Sequence, residues 1–269
     1  MQVDIEAVAA ILKTVGEEEI MPRFRRLETG EVVEKAAPLD FVTRADEEAE
    51  RVLSARLTDL LPGSIAVGEE AVGTDPGLLG RLGEEAPCWL IDPIDGTINF
   101  AHGLPVFATM VALIRGGETV AAWIHDPVHD QSGMGEKGAG VLRDHAPCRM
   151  APAAEPLRWS LCLHPRTLPA AMGQAAVRNM IRFGPLLALH CAGLEYLAML
   201  SNRIQMAQYV HTNPWDHAAG CFLTQEAGGH VARLDGTPYR LSDIDHPSPL
   251  VAAASREVWE GTKRDLFEA

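Results

Sequence analysis

The sequence is poor in cysteine, and its five cysteines are scattered, without C-x-x-C spacing. Such a set predicts neither a disulfide framework nor a zinc site, so we expect a reducing, cytoplasmic location. The first twenty residues carry acids where a secretory signal would carry basic residues. The longest uncharged run, residues 96–114, is interrupted by Gly103 and Pro105 and would be a poor membrane span. We therefore expect neither a signal peptide nor a membrane anchor.

Basic residues are also scarce, with 23 Lys and Arg against 37 Asp and Glu, which gives a formal charge of −14. This balance argues against binding nucleic acid or an anionic membrane through a broad basic surface. A phosphate ester could approach such a chain only where bound cations reverse the local field. At 269 residues, with 47% hydrophobic content, the chain suits one large or two smaller globular domains.

Helices and strands alternate in both halves of the sequence. Apolar spacing predicts helices over residues 5–15, from about 44 to the stop at Pro62-Gly63, and from 214 to the stop at Gly228-Gly229. Predicted strands are "SIAVGEE", "CWLID", a hairpin turning at Gly116-Gly117, "RWSLCL" and the residues after Gly229. This alternation predicts a layered α/β or α+β fold. A Pro- and Ala-rich stretch near residue 150 predicts two halves, 1–150 and 151–269.

Acidic residues form four clusters, at Asp46, Glu69-Glu70, Asp92 with Asp95, and Asp216. Each has an ordinary structural explanation. Asp46 with Thr43 fits a helix capping box, and Asp216 could be a helix N-cap. "GEE" could be a solvated turn, and Asp95 in "PIDG" could begin a β-turn.

Position favours a functional reading of these acids. Glu69 and Asp92 both follow apolar strands, and strand ends are where ligands gather in layered α/β folds. Neighbouring carboxylates repel each other unless a cation lies between them. Clustered carboxylate oxygens suit Mg²⁺, whereas the Asp92–Asp95 interval does not fit a calcium loop. If a helix begins at Gly96-Thr97, its free N–H groups would favour an anion such as phosphate, although Gly96 fits a turn equally well.

Other catalytic signatures are missing. The ten histidines form no H-E-x-x-H pair, so His125, His129, His211 and His217 are interpreted as surface or core residues. No G-x-S-x-G element is present. "GMGEKGAG" matches no nucleotide-binding loop and predicts a hairpin turn.

Taken together, these segments resemble the inositol monophosphatase family. "GEE" at 68–70, "WLIDPIDGTINF" at 89–100 and "PWDHAAGCFLTQEAGG" at 214–229 are similar to the family's signature elements, in order and at family-like spacing. "KAAPLDFVTRAD" at 35–46 is similar to its N-terminal signature. The resemblance extends from about residue 3 to about residue 255, and the combined set of motifs is far more specific than any single one.

The resemblance implies a role for each matching residue. Metal ligands would be Glu69, Asp92, the Ile94 carbonyl, Asp95 and Asp216, with Asp92 bridging two ions. Catalytic residues would be Asp46 and Thr97, which orient and help deprotonate the attacking water, and Glu70, which supports a third ion or its waters. The Gly96 and Thr97 amides would bind phosphate. Lys35 matches a family lysine near the active-site loop, with a solvated lysine as the alternative.

The resemblance also implies the fold and the reaction. It predicts a layered αβαβα sandwich, a homodimer, two or three Mg²⁺ ions, sensitivity to Li⁺, and hydrolysis of a small phosphorylated metabolite. Phosphate monoesters hydrolyse extremely slowly without a catalyst, and divalent ions can activate water and neutralise phosphoryl oxygens. Four carboxylates roughly balance two divalent ions, which reconciles the net charge with an anionic substrate.

Departures from the family pattern fall where the substrate is read. Tyr209 stands seven residues before Asp216, where many inositol-preferring relatives carry Glu. "HCAG" at 190–193 replaces a Gly-Ser/Thr-Ala-type run, so Tyr209, His190 and Cys191 are the candidate substrate-binding residues. Loss of a carboxylate that binds a hydroxyl would shift preference. Histidinol phosphate, a nucleotide 3′-phosphate and fructose bisphosphate stay open as substrates beside inositol phosphate. A non-enzymatic binding protein is the alternative of another class.

Overall fold

A computed structural model describes residues 3–28, 30–35, 41–151 and 155–268. Part of the N-terminal signature, residues 36–40, and part of the Pro- and Ala-rich stretch, residues 152–154, lie outside the described residues. The described helices are α1 (Ile5–Val15), α2 (Arg44–Leu60), α3 (Glu69–Thr74), α4 (Thr97–Ala101), α5 (Ala170–Asn179), α6 (Ala192–Leu200), α7 (Pro214–Glu226) and α8 (Arg256–Thr262). Short 3₁₀ or π turns cover Gly16–Ile20, Pro76–Gly83, Pro156–Arg158, Met180–Arg182 and Lys263–Phe267.

The strands form three sheets. A small ribbon pairs β1 (Val32–Glu34) with β2 (Phe41–Thr43). The large sheet runs in sequence order through β3 (Ile65–Gly68), β4 (Cys88–Asp95), β5 (Ala108–Arg115), β6 (Glu118–Asp126), β7 (Gln131–Glu136), β8 (Gly140–Arg143) and β9 (Ala146–Cys148). A second sheet has the order β11-β10-β12-β14-β13, from β10 (Leu161–Cys162), β11 (Leu186–Leu187), β12 (Met206–Tyr209), β13 (His230–Arg233) and β14 (Leu250–Ala253).

Helices cover both faces of both sheets. One apolar cluster lies between α1, α2 and the large sheet, and includes Leu12, Leu53 and Trp123. A second lies between the large sheet, the α6–α7 pair and the second sheet. A third lies between the second sheet and α8, and includes Trp159 and Trp259. The layers therefore run αβαβα, and the predicted sandwich is confirmed.

Most sequence-predicted elements match the structure. The helix over residues 5–15 and the hairpin at Gly116-Gly117 are confirmed, and the "GMGEKGAG" segment turns between β7 and β8. The strand in "RWSLCL" is shorter than predicted, because only Leu161–Cys162 pair with neighbours. The large sheet is built before residue 150 and the second sheet after it; a division into two domains there stays a prediction. Within the described residues, no helix is both long enough and apolar enough to cross a membrane.

Candidate active site

Strand β4 carries two of the predicted carboxylate ligands, Asp92 and Asp95, at the point where its pairing with β5 is interrupted. The register shifts between Asp92 and Asp95, so the two residues between them bulge out of the ladder. The hydroxyl of Thr109 donates to the Pro93 carbonyl at 2.9 Å and holds the bulge in place. Asp92 is buried, with 1% of its surface exposed, whereas Asp95 is half-buried. The bulge thus places two carboxylates at one strand end.

Asp46 lies at the start of α2 and has two roles in the structure. Its Oδ2 accepts the Thr43 N–H at 2.8 Å, which completes the capping box expected from the sequence. Its Oδ1 lies 3.2 Å from the Thr97 hydroxyl, which can instead donate to the Ile94 carbonyl at 2.9 Å. The cap is therefore real, and the same carboxylate also reaches the β4–α4 turn.

Glu69 and Glu70 occupy the first turn of α3 and are half-buried, so the expectation of a merely solvated turn is wrong. Lys35 Nζ donates to one oxygen of each, at 2.9 and 2.8 Å. Burial alone would lower the pKa of Lys35, but the charges of the two glutamates outweigh it and raise the pKa. Lys35 is therefore a neighbour of the carboxylates and not a free solvated lysine.

A carboxylate that sequence reasoning missed supports the start of α3. Glu50, one turn after Asp46 on α2, accepts the backbone N–H of Glu70 at 2.8 Å and of Ala71 at 3.0 Å. Gly68 packs so closely against Glu50 that an added Cβ would collide with the Glu50 carboxyl group. Glu50 thus fixes the turn that presents Glu69. Its i,i+4 spacing from Asp46 is the only signal the sequence offers.

Asp95 is held from the other side of the cleft. Its Oδ2 accepts the Gly193 N–H at 2.5 Å and the Cys191 thiol at 3.1 Å. Cys191 therefore contacts a predicted metal ligand directly. Burial and the Asp95 charge raise the pKa of this thiol well above its ordinary value, so it stays a neutral donor.

Asp216 lies in the first turn of α7, but it is not the N-cap considered for it. Asn213 occupies the N-cap, and its side-chain amide donates to Asp216 Oδ2 at 3.2 Å. Pro214 begins the helix, where its missing N–H costs nothing. The Asp216 carboxylate consequently faces the cleft, half-buried, across from β4.

The four predicted carboxylate ligands are close enough to disturb one another. Burial raises the pKa of Asp92 well above its ordinary value, and the charges of Glu69, Asp95 and Asp216 raise it further. Burial with repulsion from Glu69 and Asp95 does the same for the pKa of Asp216. Burial raises the pKa of Asp95 to about 6. Carboxylates from three separate segments thus share one poorly solvated space.

Repulsion also reaches Asp46, which is completely buried. Burial, with smaller contributions from Glu69 and Glu70, raises its pKa to about 7 despite the hydrogen bonds from Thr43. A carboxyl that exchanges its proton near neutral pH is suited to acid–base work.

The donor set fits a hard divalent cation in charge and chemistry. Asp92 Oδ1 is buried without a hydrogen-bond partner, and the charges that act most strongly on Asp92 are the negative ones of Glu69, Asp95, Asp216 and Asp46. Within the ranges the structure describes, however, no three His, Cys, Asp or Glu side chains are already arranged to hold a metal ion. Lys35, Asn213 and the 191–193 turn instead hold individual carboxylates. Metal binding therefore requires these side chains to turn from protein partners toward the ion.

Gly96 makes the turn into α4 possible. Its φ of +89° lies in the left-handed region, and an added Cβ would lie 2.9 Å from the Val106 carbonyl oxygen. Helix α4 begins at Thr97, so the first N–H groups of the turn lack intrahelical acceptors. Gly96 and Thr97 both line the cleft.

The cleft has a volume of about 580 Å³. It extends from Asp95 and Asp216 to a second wall formed by residues on and around β12 and α6. The candidate substrate-binding residues Tyr209, His190 and Cys191 all line it. Asn99, on α4, ties the two sides together by donating to the carbonyls of Leu189 and His190 at 2.9 and 3.2 Å. Candidates from both halves therefore line one cleft, namely Asp95, Gly96, Thr97, His190, Cys191, Tyr209 and Asp216, whereas Asp46, Glu69, Glu70, Asp92 and Ile94 are not among its lining residues.

Histidines are more prominent in this cleft than the sequence suggested. His211 and His217, interpreted as surface or core residues, line it together with His164 and His190. His217 is nevertheless buried, and burial lowers its pKa to about 4, so it is neutral. Glu195 was also missed. Its signal in the sequence is a carboxylate within the otherwise apolar helix "AGLEYLAML".

Comparison with known proteins gives a consistent family. The family model described as "Inositol monophosphatase family" matches residues 1–266. An inositol-1-monophosphatase of Bacillus subtilis is 30% identical over 210 residues, covering 76% of this chain and 77% of its own. A Vibrio cholerae protein named Nus factor SuhB is 29% identical, covering 81% and 80%. A solved Thermotoga maritima IMPase superposes with a TM-score of 0.78 at 25% identity, covering 95% of each chain.

Proposed function

Because the chain belongs to the inositol monophosphatase family and is a phosphoric monoester hydrolase, we propose that it hydrolyses a small phosphorylated metabolite with Mg²⁺ as its cofactor. The observation that carries this proposal is the shared space of Glu69, Asp92, Asp95 and Asp216, in which burial and neighbouring negative charges raise the pKa values of the three aspartates. An uncompensated cluster of this kind costs stability and is retained where a cation or a reaction needs it.

Metal ligands in this proposal are Glu69, Asp92, Asp95, Asp216 and the Ile94 carbonyl, with Asp92 shared by two ions. When bound, divalent cations acidify a water, neutralise phosphoryl oxygens and stabilise the leaving oxygen. Two or three ions are proposed, with Glu70 supporting the third or its waters. Lys35 bridges Glu69 and Glu70 by donating to both carboxylates and so offsets their mutual repulsion.

Asp46 and Thr97 would position the attacking water. Ionised Asp46 accepts a hydrogen bond from the Thr97 hydroxyl, whose oxygen can then accept a hydrogen bond from the water. With a pKa of about 7, Asp46 can also take up a proton as the water is consumed. On the other side of the water, the Gly96 and Thr97 amides would hold the phosphoryl group. The chain would then supply orientation instead of a covalent nucleophile.

We further propose a homodimer, inhibition by Li⁺ and a cytoplasmic location. These rest on the family resemblance and on the scattered, reduced cysteines. Binding to nucleic acid or to a membrane surface is not proposed, because the formal charge is −14.

A panel of phosphate monoesters tests the proposal. We expect phosphate release with Mg²⁺, no release with excess chelator, and about a hundred- to thousandfold loss of kcat in Asp95→Asn, the range typical of lost electrostatic stabilisation. Asp59→Asn, an exposed carboxylate on α2, is the matched control and should retain full activity. Full turnover by Asp95→Asn, or turnover unaffected by chelator, would refute the assignment.

The second candidate is a binding protein that keeps the fold without turnover. Two observations favour it: one relative is named as a Nus factor, and the described acids are not already arranged around a metal. This candidate predicts Mg²⁺ binding, or binding to a protein partner, with no hydrolysis of any substrate in the panel. The complete set of acids argues for the enzyme.

A further inference from the structure

Across the cleft from Asp95 and Asp216, polar side chains form what we term the leaving-group wall: the buried Glu195, Gln208 and Tyr209, the half-buried His164 and the exposed His190. Glu195 is only 1% exposed, and its Oε1 lies 3.3 Å from His164 Nε2. The Leu189 N–H donates to the same oxygen at 3.2 Å. The His190 ring lies 4.9 Å from the His164 ring. This constellation is separate from the proposed metal ligands.

The wall contains buried polar atoms that the fold leaves without partners. Among the described residues, Gln208 Nε2 makes no hydrogen bond, and Glu195 Oε2 and the Tyr209 hydroxyl make none of standard geometry, although the Glu195 carboxylate lies close enough to the Tyr209 phenol and the Cys162 thiol to interact with both. Burial, with the nearby Glu195 charge, raises the pKa of the Tyr209 phenol well above its ordinary value, so it stays a neutral donor. A buried polar group left without a hydrogen-bond partner destabilises the fold. A wall with only a packing role would be apolar, so this one indicates a ligand.

The charges of the wall limit which ligand it can take. Among the described residues that line the cleft there is no Lys or Arg, and Lys35 is paired with Glu69 and Glu70. Metal ions at the other end would be balanced by their own carboxylates. Glu195 is therefore the one formal anion of the leaving-group wall, and a second phosphate there would face it without a fixed cation.

His164 adds a defined hydrogen-bond acceptor. An ionised Glu195 can only accept, so its contact places a proton on His164 Nε2. The other ring nitrogen, Nδ1, makes no hydrogen bond to a described residue and accepts one in the neutral ring. A substrate hydroxyl or ammonium group satisfies that acceptor, whereas a phosphate oxygen does not.

Building on the phosphatase activity proposed above, we propose that the leaving-group wall selects monophosphates whose leaving group is a neutral or cationic hydrogen-bond donor, a polyol or an amino alcohol, and rejects bisphosphates. Glu195 and His164 are the specificity-determining residues. The inference keeps inositol phosphate and histidinol phosphate among the open substrates and disfavours fructose bisphosphate.

Four substrates compared in wild type, Glu195→Gln and His164→Phe test this inference: inositol 1-phosphate, histidinol phosphate, fructose 1,6-bisphosphate and p-nitrophenyl phosphate. In wild type, kcat/KM for the better of the first two should exceed that for the bisphosphate by at least about tenfold, the worth of one hydrogen bond near 1.4 kcal/mol. Both variants should raise KM for that substrate about tenfold. p-Nitrophenyl phosphate lacks hydroxyl donors, and its kcat/KM should stay within about twofold.

Glu257→Gln, an exposed carboxylate on α8, is the matched control for the charge change. A higher kcat/KM of wild type for the bisphosphate than for the two monophosphates would overturn the inference. This comparison uses wild type alone and does not depend on whether the variants fold. An equal loss on all four substrates in both variants would overturn it as well, because it would indicate a structural role. No hydrolysis of any substrate by wild type with Mg²⁺ would instead refute the proposed phosphatase.

Discussion

Replacing Asp95 with Asn should make the metal-free protein more stable while it removes activity. In the folded chain, burial raises the pKa of Asp95 to about 6 from the ordinary 3.8. Ionising this group in the native state therefore costs up to about 3 kcal/mol, since one pKa unit corresponds to about 1.4 kcal/mol. Partial exposure reduces the figure, so we expect about 1–3 kcal/mol. Asn keeps the shape and loses the charge.

The gain should depend on pH in a defined direction. A carboxyl whose pKa is raised on folding contributes stability below its unfolded pKa of 3.8 and loses it as pH rises through about 6. The advantage of Asp95→Asn over wild type should therefore be near zero at pH 4 and complete above pH 7. For a chain of this length, it corresponds to roughly 3–8 °C in Tm.

Thermal unfolding in the presence of chelator, followed by circular dichroism at pH 4, 6 and 8, measures the difference in stability between Asp95→Asn and wild type. Adding Mg²⁺ at 100 times its Kd should stabilise wild type by about 2.7 kcal/mol and leave the variant nearly unchanged. Asp59→Asn controls for the loss of one negative charge. An Asp95→Asn protein that is less stable than wild type by the same amount at pH 4 and pH 8 would refute the claim that burial makes ionised Asp95 destabilising.

Three further predictions concern the support of the site. Glu50→Gln retains one of the two oxygens that accept the α3 N–H groups, so an activity titration should give a half-saturating Mg²⁺ concentration about tenfold higher; an unchanged value would deny Glu50 a positioning role. Lys35→Met removes the cation between Glu69 and Glu70, so denaturant unfolding of the metal-free protein should show a loss of about 1–2 kcal/mol. Mg²⁺ should then stabilise the variant by more than it stabilises wild type. Equal stabilisation of the two proteins by Mg²⁺ would contradict this role of Lys35. Gly96→Ala places a Cβ 2.9 Å from a carbonyl oxygen at a φ of +89°, so calorimetry should show a loss of about 1–3 kcal/mol; unchanged stability would contradict the strained turn.

Much of the fold could be predicted because the relevant signals are local. Apolar spacing marked α1 and α2, and Pro62-Gly63 marked the end of α2. The short β10 could not be delimited, since its length depends on which residues meet β11 and β12. Its apolar run continues past the paired residues, so composition alone overestimates it.

The acids of the site could be identified because they follow strands or begin helices at recognisable motifs. Their grouping in one space is a tertiary fact, visible in the raised pKa of Asp92. Glu50 and Glu195 were missed for the same reason: neither belongs to a recognisable motif, and the role of each comes from the groups that contact it. The structural alternative considered for Asp216, a helix N-cap, does not apply, because Asn213, three residues earlier, takes that position.

Anomalous diffraction from crystals soaked in Mn²⁺, a substitute for Mg²⁺ with the same oxygen ligands, tests the central claim most directly. The account predicts at least two peaks within coordination distance of the carboxylates of Glu69, Asp92, Asp95 and Asp216, with Asp92 touching both. In these crystals the Lys35 ammonium group should no longer contact the Glu69 carboxylate. The account would be contradicted if the protein were active with Mn²⁺ in solution but its Mn²⁺-saturated crystals showed no anomalous peak at these side chains.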